Sequence, residues 1–299
     1  MRALVTGASG FIGKHLLKRL GEAVVATRSA NRFSGPAGVR VHQWDPMSGP
    51  LPTEALRDVD VVFHLAGEPV ASGRWTAKKK TRIRDSRRVG TANLVRGLAA
   101  ADPRPRVLVC SSAVGYYGDR RDEILDEGSA PGDDFLAEVC RLWELAASEA
   151  KRLGVRVVSA RTGIVLGRDG GALAKMLLPF KLGLGGRLGS GRQWMPWIHV
   201  EDMIGLLLHA ATQDEIEGPM NVTAPHPVTN REFTGALAAT LRRPAVLPVP
   251  GTILKLVAGE FAEVLLSSQR AVPQVALRTG FAFQYPDLQP ALEQILRQP

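Results

Sequence analysis

Gly7, Gly10 and Gly13, three residues apart at the head of the chain, have the type and spacing to hold a pyrophosphate. They lie in Thr6-Gly7-Ala8-Ser9-Gly10-Phe11-Ile12-Gly13, after the apolar run Ala3-Leu4-Val5 and before a segment with Leu16, Leu17 and Leu20 on one side. Strand, tight turn and helix in that order are the context a dinucleotide loop requires. Gly7 makes the turn, Gly10 lets the backbone approach the phosphates, and Gly13 lets the helix pack on the strand. The free N–H groups over Ser9, Phe11 and Ile12, with the positive end of the helix dipole, would face the anion. The spacing is G-x-x-G-x-x-G rather than the commoner G-x-G-x-x-G, so the context carries the reading; the alternative is a glycine turn without a ligand.

The next apolar run, Ala23–Thr27, ends in Thr27-Arg28-Ser29, with Arg32 close behind. An acid at that strand end would bind the ribose 2′-hydroxyl of NAD; a cation suits the 2′-phosphate of NADP. The sequence therefore favours NADP, a solvated surface arginine being the alternative. Further on, Ser111, Ser112, Tyr116 and Tyr117 stand at another strand end, where a nicotinamide would sit. Either tyrosine has the chemistry of a general acid and Ser112 that of a carbonyl-orienting group. Otherwise the tyrosines pack a turn and the serines cap it.

Short apolar runs alternate with helical segments to position these groups. Val39–Trp44, Val59–Gly67, Arg106–Cys110 and Val155–Ala160 read as strands; Thr76–Ala100 and Asp133–Leu153 read as helices. That alternation predicts an α/β, Rossmann-like, doubly wound parallel sheet, with ligands at the carboxyl ends of its strands. Gly7–Gly13, Arg28, Leu65-Ala66-Gly67, Ser111–Tyr117 and Thr162–Val165 all fall at such ends. Asp45, after the third strand, faces either an adenine amino group or a plain turn. Beyond residue 167 the texture changes to a helix over 172–181, a glycine-rich loop over 183–193 and a strand at Trp197–Val200. A helix over 201–211, a capping box at Thr229 and Glu232, and a strand-like Phe281-Ala282-Phe283 follow. The expected division is an NADP-binding domain over 1–167, with some later chain crossing back, and a smaller substrate-side domain over 168–299.

The 299 residues are 45% hydrophobic and 22% charged, ordinary globular values. No apolar run reaches the roughly 18 residues of a membrane span, and the chain opens directly on strand one, so neither a membrane nor a signal peptide is expected. Two cysteines without metal spacing fit a cytoplasmic protein. Of the net charge of +9, residues 74–88 contribute +7, eight Lys and Arg against Asp85. That stretch reads as a solvated face, as an anchor for cofactor phosphates and an anionic substrate, or as a nucleic-acid patch; the scarcity of aromatics beside it disfavours the last. The expected partner is a small molecule, not nucleic acid.

Taken together, the glycine loop, His64-Leu65-Ala66-Gly67, Ser111-Ser112 and Trp197-Ile198-His199-Val200-Glu201-Asp202 resemble the extended short-chain dehydrogenase/reductase superfamily. Glu68, Gly73-Arg74-Trp75, Ser86-Arg87, Ser112-Ala113-Val114-Gly115-Tyr116-Tyr117-Gly118 and Gln193–His199 are similar to its atypical 39U-type "epimerase family protein" branch. The tail from about residue 248 resembles that branch's C-terminal domain of unknown function. The resemblance implies NADP held by Thr27 and Arg28, with Leu65, Ala66, Arg82, Arg87 and Val165 facing it. It also implies oxidoreductase or epimerase chemistry on a small molecule, anionic or a sugar nucleotide, by a monomer or homodimer. Superfamily enzymes use a Ser/Thr, a Tyr and a Lys; alignment puts Ala113, Leu136 and Cys140 at those places, so the usual triad is expected to be absent. Glu68, Arg187, Arg192 and His199 are the substrate-side candidates. For the two arginines the alternative is a mobile solvated loop, and for His199 with Asp202 a tie between domains. A sensor of NADP(H) without turnover is the rival to an enzyme.

Overall fold

Side chains along the first strand alternate between two apolar layers, and that alternation sets the architecture. The computed structural model describes residues 1–297. In β1 (Ala3–Thr6), Ala3 and Val5 pack on one layer and Leu4 on the other. The strands β2 (Ala23–Thr27), β3 (Val39–Gln43), β4 (Val61–His64), β5 (Val107–Ala113), β6 (Arg156–Thr162) and β7 (Gly218–Val222) complete a seven-stranded sheet. Its order is β7-β6-β5-β4-β1-β2-β3, and every pairing is parallel. In β4, Val61 and Phe63 join the first layer and Val62 the second; in β5, Val107 and Val109 oppose Leu108 and Cys110. Strands buried on both faces read as continuous apolar runs, which is why they were legible.

One face is covered by α1 (Phe11–Leu20) and α5 (Val200–Thr212), the other by α2 (Ala77–Ala100) and α3 (Phe135–Ser148). Thr76 caps α2 by accepting from Lys79 N, and Asp134 caps α3 by accepting from Ala137 N at 2.9 Å. One expectation needs correction, and one strand carries no sequence signal. Phe281–Phe283 is not a strand: Phe281 and Phe283 stack edge to face at 4.9 Å on the α5 layer. The edge strand β7, with Gly218 and Pro219 at its start, carries too few β-branched residues to announce itself, yet it pairs with β6 over its whole length.

A third apolar cluster lies under α4 (Gly171–Lys181), α6 (Asn230–Leu241) and the C-terminal helix Leu288–Arg297. The capping box starting α6 is complete, Thr229 and Glu232 bonding each other's backbone. Among the described residues no helix is long and apolar enough to cross a membrane.

Candidate functional site

The glycine loop is built by contacts that leave no room for a side chain. Gly7 adopts φ +69°, and a Cβ there would lie 2.7 Å from the Leu65 carbonyl carbon. A Cβ on Gly13 would lie 2.7 Å from Ala8 Cα. Gly10 N–H closes the turn onto Gly7 O at 3.0 Å. No side chain caps α1, and its first turn contains no acid. The leading N–H groups of the helix, around Phe11 and Ile12, are therefore left to an anion. Ser9 and Gly10 are exposed above them. Phe11 is held by a second glycine set, Gly167, Gly170 and Gly171, where a Cβ on Gly167 or Gly170 would collide with its ring. That accounts for Gly170-Gly171 beside Val165, which is buried in the short strand Ile164–Leu166 paired with Trp197–His199.

Behind the loop His64 is fully buried, its ring nitrogens 2.7 Å from Thr6 Oγ1 and 3.1 Å from Thr91 Oγ1. Thr6 Oγ1 also accepts from Ala66 N at 3.3 Å, so the histidine braces the segment Leu65–Gly67 on which Gly7 rests. Burial pulls its pKa from 6.5 to about 4. The folded form therefore holds a neutral ring, while the unfolded chain takes up the proton first. The stability this supplies is fully present above pH 6.5 and is lost as pH falls through 4, about 3 kcal/mol as an order of magnitude. Denaturant unfolding followed across that window should show the decline, and His64→Gln should flatten it.

The tip of β2 is open. Thr27 is half-buried at the tip of β2, and Arg28, Ser29 and Arg32 are exposed around the 3-10 turn Ala30–Arg32. Asp45 forms the plain turn, accepting from Met47 N and Ser48 Oγ.

At the end of β4 the charged groups gather. Arg87 lies over Trp143, its guanidinium carbon 4.8 Å from the ring centroid. It donates to the carbonyls of Glu68 and Ile83, both at 3.1 Å, and passes 3.3 Å from where a Cβ on Gly67 would stand. Glu68 Oε1 accepts from Lys79 Nζ at 2.7 Å and faces Arg82 Nε at 3.4 Å. Lys79's hydrogen bond holds Glu68 below the usual carboxylate range. Lys79 is only 4% exposed and also donates to Ser72 Oγ at 2.8 Å. It is the residue the sequence reading missed, hidden in Lys78-Lys79-Lys80, of which it alone is buried.

The end of β5 holds a different kind of network. Ser112 donates to Glu144 Oε1 at 2.7 Å, and Glu144 takes a two-pronged bond from Arg161, Nε and Nη2 each at 2.9 Å. Arg161 stacks on Tyr116, 3.5 Å from guanidinium carbon to ring centroid, and donates to the Tyr117 hydroxyl at 3.1 Å. That hydroxyl reaches Asn221 Oδ1 at 2.7 Å and the Asp126 carbonyl at 2.9 Å. Tyr117 is 0% exposed, and burial pushes its pKa up to about 12 against the pull of Arg161. The reading of Tyr117 as proton donor is corrected accordingly: its hydroxyl is enclosed and spoken for. Tyr116 is half-buried, and Ser111 beside it likewise.

His199 is also corrected. It is 1% exposed, Nδ1 accepting from Glu201 N and Nε2 2.9 Å from Gln294 Oε1, with Tyr285 stacked at 4.0 Å. Asp202 accepts from Gln284 N and Tyr285 N at 2.8 and 2.9 Å. The pair fastens the C-terminal segment to α5. Arg187 and Arg192 do lie on the glycine-rich loop, Arg192 exposed and Arg187 bonded to Ser190 O. Two surface depressions lie at the opposite ends of the strands, around Met1, Asp60 and Arg106.

A family model described as the NAD dependent epimerase/dehydratase family matches residues 3–223, and one described as a domain of unknown function, DUF1731, matches residues 249–295. An epimerase family protein of Mycobacterium tuberculosis is 43% identical over 289 residues, 96% of this chain and 95% of the relative. The crystal structure of the human epimerase family protein SDR39U1 with NADPH superposes with a TM-score of 0.89 at 36% identity, covering 100% of both chains. MoeE5 in complex with UDP-glucose and NAD gives a TM-score of 0.77 at 21% identity, covering 99% of this chain and 98% of that one; at that distance the likeness is one of fold.

Proposed function

Because this chain belongs to the NAD dependent epimerase/dehydratase family, we propose that it binds NADP(H) and catalyses hydride transfer on a small, anionic substrate of sugar-nucleotide type. The observation that carries the cofactor choice is Arg28, a cation at the tip of β2 where an acid would select NAD. Thr27, Ser29 and Arg28 hold the 2′-phosphate. The N–H groups at the start of α1, with Ser9 and Gly10, hold the pyrophosphate. Leu65–Gly67, Arg87 and Val165 wall the nicotinamide half, with Ser111 beside it and Arg82 at its charged margin. The glycine-built loop fits such a group, since a Cβ at Gly7 or Gly13 would fill the space its backbone needs.

When bound, the cofactor supplies or accepts the hydride. The chain's own residues orient the substrate and handle the proton. Tyr116 is the group proposed at the substrate oxygen, since the buried Ser112 hydroxyl is given to Glu144 and orients the network behind it. Arg187 and Arg192 are those proposed at the substrate's anionic end, and Glu68 is proposed as an acceptor for a substrate hydroxyl. On this reading residues 1–167 form the cofactor half, with α5 and β7 returning to its sheet, and 168–299 the substrate side. The cofactor assignment predicts that NADPH binds more tightly than NADH and that Arg28→Ala removes the difference. Losing one charge-assisted phosphate contact should weaken NADPH by about 10- to 100-fold and leave NADH unchanged. Equal affinities of the parent chain for both nucleotides would sink the assignment.

One observation supports the second reading, a sensor without turnover. The resemblance puts Leu136 and Cys140 where the superfamily carries Tyr and Lys, and Tyr117, fully buried, has no access to substrate. A screen of carbonyl compounds and sugar nucleotides, followed by NADPH absorbance, separates the two. Turnover with any of them decides for the enzyme.

A further inference from the structure

The C-terminal part carries a feature that cofactor and substrate do not account for. Thirteen large apolar side chains are exposed among the described residues, and eight of them fall in the two stretches 178–184 and 246–257. The stretches adjoin, because the chain just after the first is paired with the second. Gly189 N donates to Val249 O at 2.9 Å and Val249 N to Arg187 O at 2.8 Å. Gly186 rests against the Leu247 carbonyl, and Gly183 near Pro244. Leu182 and Leu184 therefore run beside Val246 and Leu247, and the chain passes at once into α7 (Gly251–Ala258). That helix buries none of its residues: Leu256 is 74% and Val257 69% exposed. Its far end is tied down by Arg74, which donates to the Leu256 carbonyl, and by Lys80, which pairs with Glu260.

The charge within this strip has one sign. Residues 170–200 and 233–259 contain no Asp or Glu. Lys181, Arg242, Arg243 and Lys255 are exposed among the apolar residues. Glu260, the next acid along, is taken by Lys80.

We propose that the strip formed by residues 178–184, 242–247 and α7 is a docking surface for the anionic face of a lipid bilayer. Apolar side chains interleaved with cations on short surface elements are the composition of segments that lie in the headgroup region. The apolar groups leave water at the acyl boundary while the cations meet lipid phosphates. The expectation of no membrane rested on the length of a spanning helix, and a segment lying in the interface needs no span. A second copy of this chain is a poorer occupant: a two-fold contact would set the same cations against one another with no acid in the strip to meet them.

Flotation of the full chain with vesicles of phosphatidylcholine alone, and with phosphatidylglycerol added, tests this. The chain should float only with phosphatidylglycerol, and added salt should release it. Lys181→Gln and Arg242→Gln should each weaken binding roughly fivefold, and Leu256→Glu with Val257→Glu should abolish it. All four positions are exposed, so unchanged melting temperatures should show that the fold is intact. Failure to float with phosphatidylglycerol, or flotation indifferent to all four substitutions, overturns the proposal. So does a dimer by light scattering that Leu256→Glu dissociates, which would assign the strip to a second copy. Capture by immobilised polyglutamate without vesicle binding would assign it to an acidic protein instead. None of these readouts depends on nucleotide binding.

Discussion

Arg161→Met should lower the folding stability by about 3–5 kcal/mol, the loss expected when one partner of a buried ion pair is removed. The Arg161 side chain is 4% exposed and that of Glu144 15%. Truncating the arginine leaves the Glu144 carboxylate with Ser112 as its remaining hydrogen-bond donor and takes away the bond to the Tyr117 hydroxyl. It also removes the cation stacked on Tyr116. Urea unfolding of the single variants and of Arg161→Met with Glu144→Met forms the decisive set. The double variant should recover most of the loss, since a pair of apolar side chains in place of a buried pair of charges is often neutral. If Arg161→Met melted like the parent, the network would be ornamental. If it were stable but altered turnover, the arginine would belong to the chemistry.

Gly13→Ala should cost NADPH affinity about 100-fold, equivalent to about 3 kcal/mol. It should also cost stability by about 1–3 kcal/mol, the range for overpacking a filled site. A Cβ there would meet Ala8 Cα at 2.7 Å and the Ala8 carbonyl carbon at 3.0 Å, and backbone atoms of a tight turn cannot swing aside. The start of α1 must then move off the strand, which displaces the N–H groups meant for the pyrophosphate. Gly235→Ala is the matched control. It lies inside α6 with nothing within 4 Å of the new methyl group. There the helix should gain about 0.5–1 kcal/mol from the lost backbone freedom of glycine, and NADPH binding should not change. Titration by intrinsic fluorescence would read both, and a Gly13→Ala chain that bound NADPH as the parent does would remove the loop from the cofactor site.

The parts of the fold that announce themselves do so through local pattern. β1, β4 and β5 are short, unbroken apolar runs because both their faces are covered, and the glycine loop sits directly after the first of them. Thr229 and Glu232 mark a helix start with two side chains three residues apart, and both bonds form. The strand β7 gives no such sign: Gly-Pro-Met-Asn-Val becomes an edge strand because β6 offers it a partner. Phe281-Ala282-Phe283 has strand texture but finds no partner, and its rings are used for packing instead.

The candidate site divides the same way. Residue type and position along the chain were enough to nominate Gly7, Gly10, Gly13 and Arg28 as cofactor candidates, because a phosphate loop is built by consecutive backbone and one strand tip. They were not enough to tell Tyr116 from Tyr117, Lys79 from Lys78, or a substrate histidine from His199 as a tie. Those distinctions depend on which neighbour fills the space around each side chain. Tyr117 meets Asn221 from β7, 104 residues away, and His199 meets Gln294, 95 residues away. By itself, then, the sequence determined the parallel sheet, the glycine bend and the sign of the charge at the tip of β2, all properties of short contiguous segments. Only the tertiary structure decided which polar side chains are consumed in holding distant segments together and which are left for a ligand, because burial and hydrogen-bond satisfaction belong to the assembled chain and not to any stretch of it.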